Sequence, residues 1–147
     1  MKVAIGSDHA GFDLKEEIIR YLKAKKIDVD DLGCHSKESV DYPDYAKEVA
    51  QTVSEGSAES GILICGTGIG MSIAANKVAG VRAALVHDSF EAKMSREHNN
   101  ANVLVLGARV IDKEKIPLIL KEWFAATFEG GRHERRVGKI NKLDKGC

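Results

Sequence analysis

This 147-residue chain has little of what would tie it to a membrane, a metal or an oxidising compartment. Its three cysteines, Cys34, Cys65 and Cys147, are far apart and odd in number. A disulfide framework is therefore not expected, and a reducing cytoplasm is the natural compartment. No Cys-x-x-Cys and no pair of histidines spaced i, i+4 occurs, so no metal site is expected. No apolar run approaches the roughly 20 residues of a membrane span. The opening MKVAIGSD turns polar too soon for a secretory leader. Aromatic residues make up only 5% of the chain and no nucleic-acid-binding motif is present, which counts against a nucleic-acid partner. With two prolines and no linker, repeat or low-complexity tract, residues 1–147 read as one domain.

Charge is balanced overall, 22 basic residues against 22 acidic, but not along the chain. From Gly130 to Cys147 there are six basic residues and two acidic, so the body carries the matching acidic excess. Such a tail is a solvated end, a nucleic-acid arm or a clamp for a small anion.

Short β-rich runs alternate with helical patterns. Val3–Ile5, Ile27–Leu32, Gly61–Cys65, Val81–Val86 and Asn102–Gly107 read as strands, the second near a sheet edge because its apolar and acidic residues alternate. Between them, Leu14, Ile18, Tyr21 and Leu22 recur at helical spacing, and helices are expected over Asp44–Ser54, Ile69–Val78 and from an Asp88 cap to about Glu97. Asp112–Phe128 is mostly helical, with regular helix from near Pro117, and Gly130-Gly131 precedes a short basic C-terminal helix over about 130–142. Strands alternating with helices predict a doubly wound α/β domain, a five-stranded parallel sheet with helices on both faces. Ligands in such folds bind beyond the carboxyl ends of the strands, here Asp8 and His9, Cys65 to Gly68, His87 and Asp88, and Gly107 and Arg109.

The strongest local signal is CGTGIGMS, residues 65–72, running from a buried strand into a helix. Glycines at 66, 68 and 70 allow close approach of backbone N–H groups to a phosphate or a developing oxyanion. The same pattern also serves a tight turn that needs small residues. Cys65 is either a general base or nucleophile beside that turn, or a small buried hydrophobe. His98 and Asn99, at the end of the fourth helix, suit either a helix cap or chemistry. His9 reads as a ligand contact, whereas His35 and His133 read as exposed. Arg132 and Arg136, four residues apart, share one helix face, where two guanidiniums suit a phosphate or simply face solvent.

Taken together, GSDHAGFDLK at 6–15, DYPDYA at 41–46, CGTGIGMSIAANK at 65–77, REHNNANVLVLGAR at 96–109 and FEGGRHERRVGKI at 128–140 resemble the B-type ribose-5-phosphate isomerases and the wider family that includes galactose-6-phosphate isomerase subunits. The resemblance spans essentially the whole chain. It implies interconversion of ribose 5-phosphate and ribulose 5-phosphate through an enediolate, without metal or organic cofactor. It implies Cys65 as the base between C1 and C2, and the N–H groups of Gly66 to Gly70 as oxyanion donors. Thr67 and His98 would open the furanose, with Asp8 at the sugar and Asn99 and Tyr42 lining the site. His9, Arg109, Arg132 and Arg136 would hold the phosphate. It also implies homodimers or dimers of dimers whose sites draw on both subunits, the basic C-terminal helix reaching a neighbour. The rival readings are an isomerase of allose or galactose 6-phosphate, a non-catalytic nucleotide-binding module and a nucleic-acid binder.

Overall fold

A computed structural model describes residues 1–144. Cys147 lies outside the described residues. The chain runs β1 (Lys2–Ser7), α1 (Phe12–Ala24), β2 (Asp28–Asp31), α2 (Tyr42–Ser54), β3 (Ser60–Cys65), α3 (Ile69–Ala75), β4 (Ala83–Leu85), α4 (Ser89–Asn99) and β5 (Val103–Gly107). A 3₁₀ turn (Lys113–Lys115), α5 (Ile116–Ala125) and α6 (Arg132–Leu143) complete it. All strand pairings are parallel and the order is β2-β1-β3-β5-β4. β2 is indeed an edge strand.

Alternation along the central strands sorts their side chains onto two cores. Val3, Ile5, Ile62, Ile64, Leu104 and Leu106 face α1, α4 and α5, where Leu14, Ile18, Leu22, Ala92, Ile119 and Trp123 complete the packing. Ala4, Leu63, Cys65, Val103 and Val105 face α2 and α3, against Val49, Ala50, Val53, Met71 and Ala75. Helices therefore cover both faces, as continuous apolar strands require. The strand order reverses between β1 and β3, and that switch point is where this architecture binds ligands.

Several boundaries differ from those read in the sequence. β4 pairs only over Ala83–Leu85, although Val81 and Val86 are buried. Their apolar character reports core packing, not sheet pairing. Helix α2 begins at Tyr42, two residues early, because Pro43 occupies the first turn, where no N–H is needed. Helix α3 stops at Ala75 because the Asn76 side chain takes over. Its amide nitrogen donates to the Ser72 and Ala83 carbonyls (both 2.9 Å), and its oxygen accepts from the Ala83 N–H (2.8 Å). Asp88 does cap α4, accepting from the Glu91 N–H at 2.8 Å.

Sequence patterning carries no sign of one charge enclosed beneath α1. The Lys15 side chain is 0% exposed, and its ammonium donates to both Asp31 carboxylate oxygens and to Glu16 Oε1, all at 2.9 Å. Asp31 Oδ1 also accepts from the Gly33 N–H at 3.0 Å. The next backbone bonds join Ser7 N–H to Gly33 O (2.7 Å) and Cys34 N–H to Ser7 O (2.9 Å). The ion pair thus anchors the segment that braces the carboxyl end of β1. A broken buried pair costs most when the group left behind cannot reach water. Asp31→Asn, which leaves the enclosed ammonium with Glu16 as its one carboxylate partner, is expected to lower unfolding free energy by about 1.5–3 kcal/mol. Lys15→Met leaves a carboxylate that water can reach and should cost less. Urea denaturation of both variants checks the order.

Candidate active site

The switch point holds an open cleft of about 440 Å³, lined by Asp8, Tyr42, Cys65, Gly66, Thr67, Ile69, Gly70, Ile73 and Arg109. Asp8 comes directly after β1, and its N–H donates to Ile64 O at 3.2 Å, which sets it beside the end of β3. Its buried carboxylate accepts from the Gly11 N–H at 3.1 Å through Oδ1. Cys65 closes β3, 4% exposed, and its Sγ accepts from the Gly68 N–H at 3.2 Å. A donor of this kind binds a thiolate more strongly than a thiol.

Glycine at two turn positions is set by space. Gly68 has φ +79°, the left-handed region. A Cβ on Gly70 would collide with the Tyr42 ring, so the phenol lies directly across the first turn of α3. Two of the turn's N–H groups are already engaged, Gly68 by Cys65 Sγ and Ile69 by Thr67 Oγ1 at 3.2 Å. The next two, on Gly70 and Met71, belong to a first helical turn and have no intrahelical acceptor.

Arg109 is held at the same place. The Ala108 N–H donates to Cys65 O (2.8 Å) and the Arg109 N–H to Gly66 O (2.9 Å). Its Nη1 sits 3.3 Å from where a Gly66 Cβ would stand. His9 lies next to Asp8 but outside the cleft lining. Its Nδ1 accepts from the Val40 N–H at 3.2 Å, so the neutral ring carries its proton on Nε2.

His98, Asn99, Arg132 and Arg136 form a second group, on α4 and α6. Asn99 lines a separate depression of about 420 Å³ with His87, Phe90, Glu91 and Met94. Arg132 and Arg136 are exposed on one side of α6. His133, read as exposed, is instead 6% exposed, because its ring stacks on His98 with centroids 4.1 Å apart and planes 9° apart. Glu129 Oε2 lies 3.9 Å from His98 Nε2 and 3.6 Å from His133 Nε2. Asn100 takes the left-handed cap of α4 at φ +47°.

Arg82, a residue the motifs did not single out, fastens this group together. Its Nε donates to the carbonyls of Asn99 (3.2 Å) and Asn100 (2.9 Å), and its Nη1 donates to Asn141 Oδ1 on α6 (3.1 Å). Nothing local in the sequence signals a contact whose partners lie 17 to 59 residues away.

A doubly wound protein with a thiol, a carboxylate and a guanidinium at its switch point is built as a small-molecule enzyme. Residues 3–140 match the family model described as Ribose/Galactose Isomerase, and the chain belongs to that family. It is 47% identical to ribose-5-phosphate isomerase B of Escherichia coli, over 98% of this chain and 97% of the relative. Among solved structures, ribose-5-phosphate isomerase B of Clostridium thermocellum superposes with TM-score 0.97 at 53% identity, covering 99% of this chain and 98% of that one. The Mycoplasma genitalium enzyme, solved with ribulose-5-phosphate bound, gives 0.94 at 45% identity, covering 99% and 97%.

The stacked imidazoles carry a pH signature. Burial pushes the His133 imidazole below its ordinary value of 6.5, with His98, Arg132 and Arg136 acting in the same direction and Glu129 opposing. The unfolded chain then binds a proton there more readily than the folded one, so the penalty is absent above 6.5 and grows as pH falls below it. Thermal unfolding of His133→Gln between pH 7.5 and 5 is expected to show a shallower loss of Tm on acidification than the parent.

Proposed function

We propose that this protein interconverts ribose 5-phosphate and ribulose 5-phosphate by proton transfer through an enediolate, with Cys65 as the base. The observation that carries this reading is Cys65 Sγ, bonded to the Gly68 N–H, at the head of a cleft whose walls supply Asp8, Thr67, Tyr42 and Arg109. A proton alpha to a carbonyl is weakly acidic, so the barrier falls when the enediolate oxygen meets fixed donors. The N–H groups of Gly70 and Met71 are free for that task, while Gly66 and Gly68 let the backbone come close. Thr67 and Asp8 lie where the sugar would bind. The phosphate does not react, and its binding energy holds C1 and C2 against the base. The ribulose-5-phosphate bound in the Mycoplasma genitalium relative supports the pentose.

Cys65 and His98 stand in separate groups on one chain, and we assign the complete site to two copies. One copy supplies the cleft with Asp8, Tyr42, Cys65, Thr67 and Arg109, and the other supplies His98, Asn99, Arg132 and Arg136 for ring opening and phosphate binding. Ile69 and Ile73 support this pairing, since both are more than half exposed at the cleft rim. His9 completes the phosphate contacts. Residues 1–147 act as one domain, with α6 facing the neighbour. Buried free thiols at Cys34 and Cys65 fit a reducing cytoplasm. Among the described residues, no helix is long and apolar enough to cross a membrane.

The test is incubation with ribose 5-phosphate in D₂O with chelator present, beside Cys65→Ala. NMR should show ribulose 5-phosphate from the parent and a fall of about 10²–10⁴-fold in the variant, the range for loss of a general base. A parent that ignores ribose 5-phosphate but turns over allose or galactose 6-phosphate would move the assignment to hexoses. A fully active variant would remove Cys65 from the role of base.

A further inference from the structure

The resemblance and the cleft leave Glu129 without a role, yet its carboxylate is the group that meets both stacked imidazoles. Its backbone N–H donates to Glu97 O at 3.0 Å, which fixes the loop between α5 and α6 against the last turn of α4, next to His98. Its Oε2 then lies within ion-pair distance of both His Nε2 atoms. The donor atoms of His98, Glu129 and His133 all fall within 4.8 Å of one another, a spacing that by itself would admit a metal. The ring planes argue against that use. They are 9° from parallel and stacked, so their in-plane lone pairs run side by side and cannot converge on one ion. The arrangement suits one positive charge held beside the carboxylate.

We infer that Glu129 is a positioning residue for ring opening, holding the His98–His133 pair in the orientation and singly protonated state from which His98 delivers a proton to the sugar's ring oxygen. This rests on the isomerase reading above. When the furanose opens, the C1–O4 bond breaks, O4 takes a proton from the imidazolium and the C1 hydroxyl gives one up as the aldehyde forms. The proton released by the C1 hydroxyl returns to the imidazole through solvent, so the pair ends with the one proton it began with, and no electrons are gained or lost.

Geometry explains why the pair holds no more than one proton, and why His98 is the ring that delivers it. Two protonated rings stacked at 4.1 Å would repel, and Arg132 and Arg136 on α6 add to that repulsion. A single positive charge is offset by Glu129, the acidic group facing the pair from the loop. On α4, Glu97 is occupied by Lys93 at 3.8 Å. The His133 side chain is 8% exposed and that of His98 36%, so His98 is the ring that can meet a substrate. Glu129 itself is half-exposed and can be replaced without opening the core.

Substrate chemistry separates this role from a structural one. Ribose 5-phosphate enters as a furanose. Ribulose 5-phosphate cannot close a five-membered ring, because its C5 oxygen is esterified, and so enters as an open chain. Glu129→Gln is expected to lower kcat from ribose 5-phosphate by about tenfold at little change in KM, as expected for a weakened acid. Because the overall equilibrium is fixed, kcat/KM from ribulose 5-phosphate must fall by the same factor. Exchange of its C1 proton with D₂O, which needs Cys65 and no ring opening or closure, should stay within about twofold of the parent. The limb of the forward pH profile that reports the protonated pair should move to lower pH by about half a unit. Glu129→Asp should restore part of both effects, and imidazole NMR titration should show the same displacement without substrate. A loss of C1 proton exchange as large as the loss of net isomerisation, or a Glu129→Gln enzyme indistinguishable from its parent in rate and pH profile, would overturn the inference. A parent inert toward both pentose phosphates would instead bring down the isomerase reading, and this inference with it.

Discussion

Everything at the switch point depends on one contact that tolerates no side chain. Where β5 ends, a Cβ on Gly107 would fall on the Thr67 carbonyl, so the two backbones lie against each other. That closeness allows the Cys65 and Gly66 carbonyls to accept from Ala108 and Arg109. The turn after β3 is thus secured from one side by β5, and from the other by the Asp8 N–H on Ile64 O. With its backbone pinned at both flanks, the turn can direct sulfur, hydroxyl and N–H groups into one cleft without loop flexibility to overcome.

Much of this could be read from residue order. Parallel strands buried on both faces appear as unbroken apolar runs, and GILIC and NVLVLG are such runs. Strand ends in a doubly wound sheet gather at one edge, so topology alone makes neighbours of Asp8, Cys65, Thr67 and Arg109, each at or just past the end of a strand. Tyr42 entered only through the family resemblance, and the collision at Gly70 shows why a ring belongs there.

What stayed hidden is long-range and depends on side-chain direction. His98 and His133 are 35 positions apart, and no spacing rule connects residues on two helices that tertiary packing alone brings together. Arg82 carries no motif, yet it closes three hydrogen bonds between the end of α4 and α6. Separation of the candidate residues into two groups was also not readable from one-dimensional order. It arises because α4 and α6 pack together, away from the β1–β3 crevice.

The ammonium under α1 limits how this sequence can drift. Position 15 and position 31 sit on different elements, but what each residue contributes to stability depends on the other. A neutral residue at position 31 leaves the enclosed ammonium with Glu16 alone, and an apolar one at position 15 removes the cation that Asp31 faces, whereas a matched apolar pair could replace both. The route between those two solutions passes through a weaker intermediate. The two positions therefore behave in inheritance as one character, and a change at either should spread only in a lineage that already has stability to spare or acquires the second change soon after.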